Sequence, residues 1–354
     1  MSALLCVPTL ISIVVFLKLK SPQGSMKEKL ARLDYLGVLS LTACIVCILL
    51  AVSWGGTTYP WNSAPIIALF VVGGVLIIVT AIEIKWAVAP VVPPHFFKMR
   101  NPLAAFSTNF FCGFALYGAM YYVPLYFQFI KNESATTSGL ETLPFVLGLA
   151  VASLIVGQLV TLLGIYRPFI WAGMAMCCIG SALLSLFDVN TSRGEQIGFL
   201  LILGIGCGFS MANLALAAQA AVPLKDLATV TTLAAIWRTV GGTIGIAISG
   251  TIFSNKLSST LAQTLPNVTP DELSSILSGS TAALQGLPAS QLYDIKHAYA
   301  QGLDLVYLSW GGLSGAGFLT SLFLVHKKLA KRPKVAKKVE DPEKGMPESE
   351  TAQR

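Results

Sequence analysis

The chain has 354 residues, 54% of them hydrophobic and 12% charged, with a net charge of +7. A soluble domain carries roughly 25% charged residues. Here the polar residues cluster between long apolar runs, which excludes a single soluble core. The basic excess invites a nucleic-acid partner, but the charges sit only between and after the apolar runs, and that placement excludes one.

A run of about 18 residues with few charges spans a bilayer as a helix. Nine runs follow one another, at residues 3–17, 35–54, 65–82, 104–129, 143–163, 168–188, 197–222, 233–253 and 303–325. The fold class is therefore an all-α integral membrane protein of about nine transmembrane helices. Residues 1–17 hold the weakest run, short and containing Pro8. No Lys or Arg precedes it and no small-residue cleavage site follows, so it reads as a shortened span rather than a leader. Residues 18–34, KLKSPQGSMKEKLARLD, form a basic linker. Residues 35–85 hold a helix pair, with Trp54, Tyr59 and Trp61 at the level of an interfacial aromatic belt.

Residues 102–325 contain six further spans. In the first of them Tyr117, Tyr121, Pro124 and Gln128 recur at helical spacing on one stripe, with Asn109 roughly 80° away. A tyrosine and amide stripe suits a cavity for a bulky, partly aromatic ligand. Packing of interfacial tyrosines against a neighbouring helix explains it equally well. The seventh span carries Gly204, Gly206, Gly208 and Ser210, then Asn213 and Gln219. Buried amides in lipid face protein or water, which makes Asn213 a second cavity candidate and Gln219, near the span's end, a structural one. The eighth span opens on Arg238, a candidate interfacial anchor or gating cation. Gly241, Gly245 and Ser249 follow as a small-residue face for helix packing.

Residues 254–301 are less apolar and read as a small extracellular cap. Thr269-Pro270-Asp271-Glu272 starts one helix, and a short second helix is predicted near 290–300. Asn132, Asn190 and Asn267 match the glycosylation pattern, and only Asn267 lies well clear of a span. Residues 326–354 are Lys-, Glu- and Pro-rich and read as a disordered basic tail.

If residue 18 is cytoplasmic, the spans alternate sides from there. All 24 Lys and Arg residues except Lys131, Arg193, Lys256 and Lys296 then fall on the cytoplasmic side. This is the positive-inside bias, and the basic tail is placed to touch anionic headgroups. The seven cysteines all lie within apolar runs and read as small buried hydrophobes, including the Cys44-x-x-Cys47 pair. No catalytic cluster, metal set or phosphate-binding loop is present, so neither an enzymatic activity nor a cofactor is expected.

Several stretches together resemble the major facilitator superfamily, in its fourteen-helix drug:proton antiporter branch of fungal multidrug and mycotoxin efflux pumps. They are LARLDYLGVLS at 30–40, LAVSWGGTTYPW at 50–61, VVPPHFFKMRN at 91–101, YYVPLYFQFIKNESATTSG at 121–139, AAVPLKDLATVTTL at 220–233 and WRTVGGTIGIAISGTIF at 237–253. The resemblance implies a partial major facilitator fold. Residues 35–85 would be the central extra pair, residues 102–325 the second six-helix half, and five helices would precede the chain. It also makes Gly157, Gly164 and Arg167 a degraded copy of a gating loop motif, with Thr161 and Leu162 where the family has charges. It implies proton-coupled efflux of small hydrophobic compounds across the plasma membrane, or alternatively the vacuolar membrane. The coupling residues would lie in the missing half, so a chain of this extent is expected not to transport alone. A half-protein acting as an interaction partner or remnant is the alternative.

The topology is testable by cysteine-specific labelling in sealed vesicles. Single cysteines at residues 20 and 340 should label only from the cytoplasmic side, and one at residue 190 only from the opposite side. Labelling of 20 and 340 from different sides would rule the topology out.

Overall fold

The computed structural model of the chain describes residues 34–264, except 57, 85 and 87–92, together with residues 289–326. The expected first span, the linker up to residue 33 and the tail beyond residue 326 lie outside the described residues. The order is α1 (Tyr35–Trp54), α2 (Ala64–Glu83), α3 (His95–Lys98), α4 (Arg100–Phe129), α5 (Ala135–Glu141) and α6 (Leu143–Leu163). Then come α7 (Arg167–Leu184), α8 (Arg193–Gln219), α9 (Leu227–Thr264) and α10 (Ala289–Leu322). Among the described residues seven helices are long and apolar enough to cross a membrane. These are α1, α2, α4, α6 with α5 at its head, α7, α8 and α9, and the described chain contains no strand.

The ninth run falls on α10 up to residue 322, and this helix is not one of the seven. Gly311, Gly312, Ser314, Gly315 and Gly317 dilute its apolarity, because much of this helix packs against α4, α7 and α9 rather than lipid. The segment at 254–301 differs from expectation at both described ends. Residues 254–264 continue α9, and 289–301 open α10, so the short helix predicted at 290–300 is part of a 34-residue helix. At a rise of 1.5 Å per residue α9 and α10 are about 57 and 51 Å long, well beyond a hydrocarbon core of about 30 Å. Residues 269–272 and Asn267 lie outside the described residues.

Lipid offers no hydrophobic incentive for helices to associate, so close packing of small residues has to hold them together. α4 and α9 meet along such a seam. A side chain at Gly113 would overlap the carbonyl oxygen of Arg238, and one at Gly241 would overlap that of Phe110. One turn on, Gly245 lies against Phe114 and Gly242 under the Tyr117 ring. Above the seam Trp310 of α10 donates its indole N–H to Ser249 Oγ of α9 at 2.9 Å. α8 does the same with two neighbours. Gly204 and Gly208 stand under carbonyl oxygens of α6, at Phe145 and Leu149, while Gly206 on the other side meets the backbone of α7 at Cys177.

Side chains stitch both ends of the six-helix bundle. At the end where α4 begins, here the inner end, the Asn101 amide donates to Val325 O at 2.7 Å and accepts from Val325 N at 2.8 Å. Arg100 donates to Phe323 O at 2.9 Å and Trp171 to Ser321 O at 3.0 Å, so carbonyls at and just past the end of α10 are satisfied. At the outer end Tyr126 donates to Asp188 O at 2.8 Å, Lys131 to Val189 O at 2.8 Å, and Arg193 pairs with Glu141. Burial lowers the pKa of Lys131, against the opposing pull of Asp188 and Glu133.

The seam predicts a sharp contrast between glycines. Gly241→Leu forces a side chain onto a backbone oxygen and should cost at least the about 1–3 kcal/mol of an overpacked core. Gly74→Leu on α2, where nothing lies within 4 Å, should be close to neutral. Thermal unfolding of the two purified variants in detergent checks this, and equal melting temperatures would contradict the seam.

Candidate functional site

The tyrosine stripe of α4 occupies one partly open face. Tyr121 is 55% exposed, Tyr117 and Gln128 are half-buried, and Gln128 donates to Ser138 Oγ of α5 at 3.1 Å. The Tyr117 ring packs on Gly242 of α9. Pro124 also lies inside α4, leaving the carbonyl of Met120 without its usual intrahelical donor. Asn109 is not part of this face. It is buried and donates to Ala105 O of its own helix at 3.0 Å.

A second set of polar groups lies within the bundle. Asn213 is fully buried, and its amide donates to Phe209 O at 2.7 Å, but its Oδ1 has no partner. Ser210 Oγ, one turn away on α8, is also buried without a partner. So is Nε of Arg238. Gln219 of α8 donates to Thr231 of α9 at 2.8 Å, which fixes the register of these consecutive antiparallel helices. Six residues along α8 and seven along α9 bring Asn213 and Arg238 to one depth, about 10 Å further from the inner end. The Arg238 carbonyl faces Gly113, near the middle of α4. Arg238 therefore sits deeper than an entrance residue. The helix begins at Leu227 rather than near residue 233, directly after a single turn at Leu224–Asp226. An intramembrane cation is costly and marks a functional position by default. Among the described residues it has no carboxylate partner; the ion pairs there are His95–Asp226, Arg193–Glu141 and His297–Asp188.

The other candidates have identifiable local roles. Gly164 caps α6 in the left-handed conformation with φ 71°, and nothing crowds Gly157. Arg167 donates to Leu322 O at 3.2 Å and lies over the Trp171 ring at 4.3 Å. Gly241, Gly245 and Ser249 lie on the α4–α9–α10 seam described above.

Sequence reasoning missed Tyr122 and Tyr126, the buried tyrosines of α4. Tyr122 donates to Ile246 O at 3.0 Å, where Gly250 leaves room for its hydroxyl. Tyr126 also accepts from Gln196 at 3.3 Å. Their four-residue spacing was a usable signal, equal in kind to that of Tyr117 and Tyr121. Asp304 lies sixteen residues into α10 with a buried Oδ1 that has no partner. The mid-depth set supplies hydrogen-bond donors, acceptors and one permanent charge. Among the described residues no three His, Cys, Asp or Glu side chains converge as a metal site.

Residues 3–281 match the sequence profile described as fungal trichothecene efflux pump (TRI12). The chain is 35% identical over 300 residues to the MFS-type efflux pump MFS1 of Trichophyton rubrum, covering 83% of this chain and 56% of that protein. It is 38% identical to the MFS-type efflux pump elcC of Phaeosphaeria nodorum, over 82% of this chain and 52% of that one. It is 35% identical to the aspyridones efflux protein of Neocamarosporium betae, with 82% and 53% covered. The chain thus spans about half the length of these curated relatives. Among solved structures it superposes on a bacterial homologue of the human lysosomal transporter Spinster, inward-facing and occupied, with a TM-score of 0.53. Sequence identity there is 12%, and the match covers 81% of this chain and 67% of that one. This likeness establishes the fold.

The contrast between the two tyrosine faces is measurable. Tyr122→Phe removes a buried hydrogen bond worth about 0.5–1.5 kcal/mol. Tyr121→Phe, on the open face, should stay within about 0.5 kcal/mol of wild type. Denaturant unfolding in mixed micelles reads both, and a larger loss for Tyr121→Phe would reverse the assignment of the buried face.

Proposed function

This chain belongs to the fungal trichothecene efflux pump family of major facilitator transporters, and from that premise we propose that it takes part in proton-driven efflux of small hydrophobic compounds. The supporting observation is a set of buried polar groups at similar depth on α8 and α9: Asn213 Oδ1, Ser210 Oγ and Arg238 Nε, all unpartnered. A purely structural bundle gains nothing from them, since each unpaired buried group costs about 1–3 kcal/mol. A substrate's polar atoms would satisfy them. The Tyr117 and Tyr121 face of α4 would form the aromatic wall along which a bulky compound moves, with Gln128 at its outer end and Asn109 behind it.

Alternating access rocks two halves about a midplane site. Residues 102–325 are one such half in this proposal, with Gly157, Gly164 and Arg167 at its inner gate and residues 35–85 as the connecting pair. The mid-depth set holds no carboxylate, so proton coupling draws on groups outside it. The segments at 18–34 and 326–354 would face the cytoplasm, and the plasma membrane is the proposed location.

Cells with and without the gene can be loaded with a neutral hydrophobic dye. Loss of the gene should raise steady-state dye several-fold, and an uncoupler should erase the difference. Asn213→Leu in the chromosomal gene should reduce the uncoupler-sensitive component about tenfold, the equivalent of about 1.4 kcal/mol. Vesicles holding this chain alone should show no such efflux. Unchanged dye levels on gene loss, with capture of the chain by a full-length relative, would replace efflux with a partner role.

A further inference from the structure

The pair α1–α2 meets the bundle along α9, and the contact is uneven. At the outer end Thr251 of α9 donates to Val52 O at 3.4 Å, and Gly56 lies against the Thr251 methyl. Towards the inner end the two bodies stand apart and enclose a cavity of about 310 Å³. Ile45 of α1, with Ile77 and Ala81 of α2, forms one wall. Phe97 of α3, with Ile236 and Trp237 of α9, forms the other. This volume is at the lower end of the range for small-ligand sites, about 300–1,000 Å³.

The chemistry of the walls determines what fills it. The hydroxyl at the lining, Thr80, lies 2.9 Å from Ser40 Oγ and 2.8 Å from Leu76 O. It is fully engaged within the α1–α2 pair. Water needs two to four polar partners to occupy a cavity, and the walls carry only the Trp237 indole N–H and the weakly bonding Cys44 thiol besides Thr80. A sterol hydroxyl or the several polar atoms of an exported compound would be poorly matched by them. An empty cavity would leave both walls without dispersion contacts on one side. A flexible hydrocarbon chain fits every wall, and the surrounding bilayer consists of such chains. α1 and α2 already present their other faces to it, with Val46, Val71 and Ile78 all about half-exposed. Lys98, exposed and next in sequence to the lining residue Phe97, is a cation available to a phosphate.

We propose that the cleft between α1–α2 and α9 is a binding site for one acyl chain of a membrane phospholipid, held with its headgroup at the inner end. The bound chain completes the packing of the pair against the bundle and rests on the fold alone, independently of the efflux proposal.

Native mass spectrometry of the purified full chain, after extensive detergent washing, tests this. The wild type should retain one phospholipid per chain. Ala81→Phe, which fills the cleft, should lower that occupancy at least fivefold, whereas Val46→Phe, on the opposite face of α1, should leave it unchanged. A second measurement does not depend on any cavity-filling variant. One equivalent of phosphatidylcholine with a dibrominated acyl chain, added to the delipidated chain in micelles, should quench the fluorescence difference between wild type and Trp237→Phe. No retained lipid and no quenching would overturn the proposal. So would retention of a sterol alone, or displacement of the brominated lipid by the hydrophobic dye used as efflux probe, either of which assigns the cleft to another ligand.

Discussion

Backbone approaching backbone is the constraint on which this structure depends. In lipid, the energy that collapses a soluble core is absent between helices, and contact density has to replace it. Gly113 and Gly241 let α4 and α9 touch at the level of carbonyl oxygens. Once the axes are that close, the second layer becomes possible. Trp310 reaches Ser249, and Tyr122 reaches a carbonyl of α9 that a more distant helix would not offer. α8 repeats the arrangement on two sides with glycines two residues apart. The bundle is thus a set of glycine seams, with large aromatic side chains filling what the seams leave open.

The stitched ends follow from a related requirement. Helix termini leave carbonyl and amide groups without intrahelical partners, and a bilayer tolerates few of them. At the inner end the carbonyls of residues 321–323 and 325, at and just past the end of α10, accept from Trp171, Arg167, Arg100 and Asn101, three of which stand at the starts of α4 and α7. Arg100 and Arg167 therefore also satisfy the end of α10. At the outer end Asp188, Tyr126, Lys131 and Gln196 form the equivalent network around the α7–α8 connection. The bundle is thus tied at both ends and seamed in between.

The spans were legible because apolar length is a one-dimensional property. Every predicted run that falls on described residues coincides with a helix. The small-residue faces were equally legible, since glycine four residues apart has few other uses in lipid. Depth and facing were harder to read. Arg238 seemed to stand at an entrance because the Thr- and Ala-rich turn from Leu227 is too weakly apolar to count as span, although it is helical. α4 carries tyrosines on two stripes, and both have helical periodicity. Which stripe is buried depends on where α9 supplies Gly250 and a carbonyl, information that lies more than a hundred residues away.

The mid-depth polar groups and the cleft beside α9 are opposite answers to one problem. A membrane protein with unfilled space must leave it to water, to lipid or to a cargo, and the walls decide which. At Asn213 and Arg238 an acceptor and a donor are buried without protein partners, so a polar atom placed there would be held by groups nothing else saturates. In the cleft the hydroxyls of Ser40 and Thr80 are spent on each other, a surface that distinguishes hydrocarbon only by shape. Trp237 lines the cleft, and Arg238, the next residue on α9, has a buried Nε without a partner, so a single turn of one helix borders both kinds of surroundings.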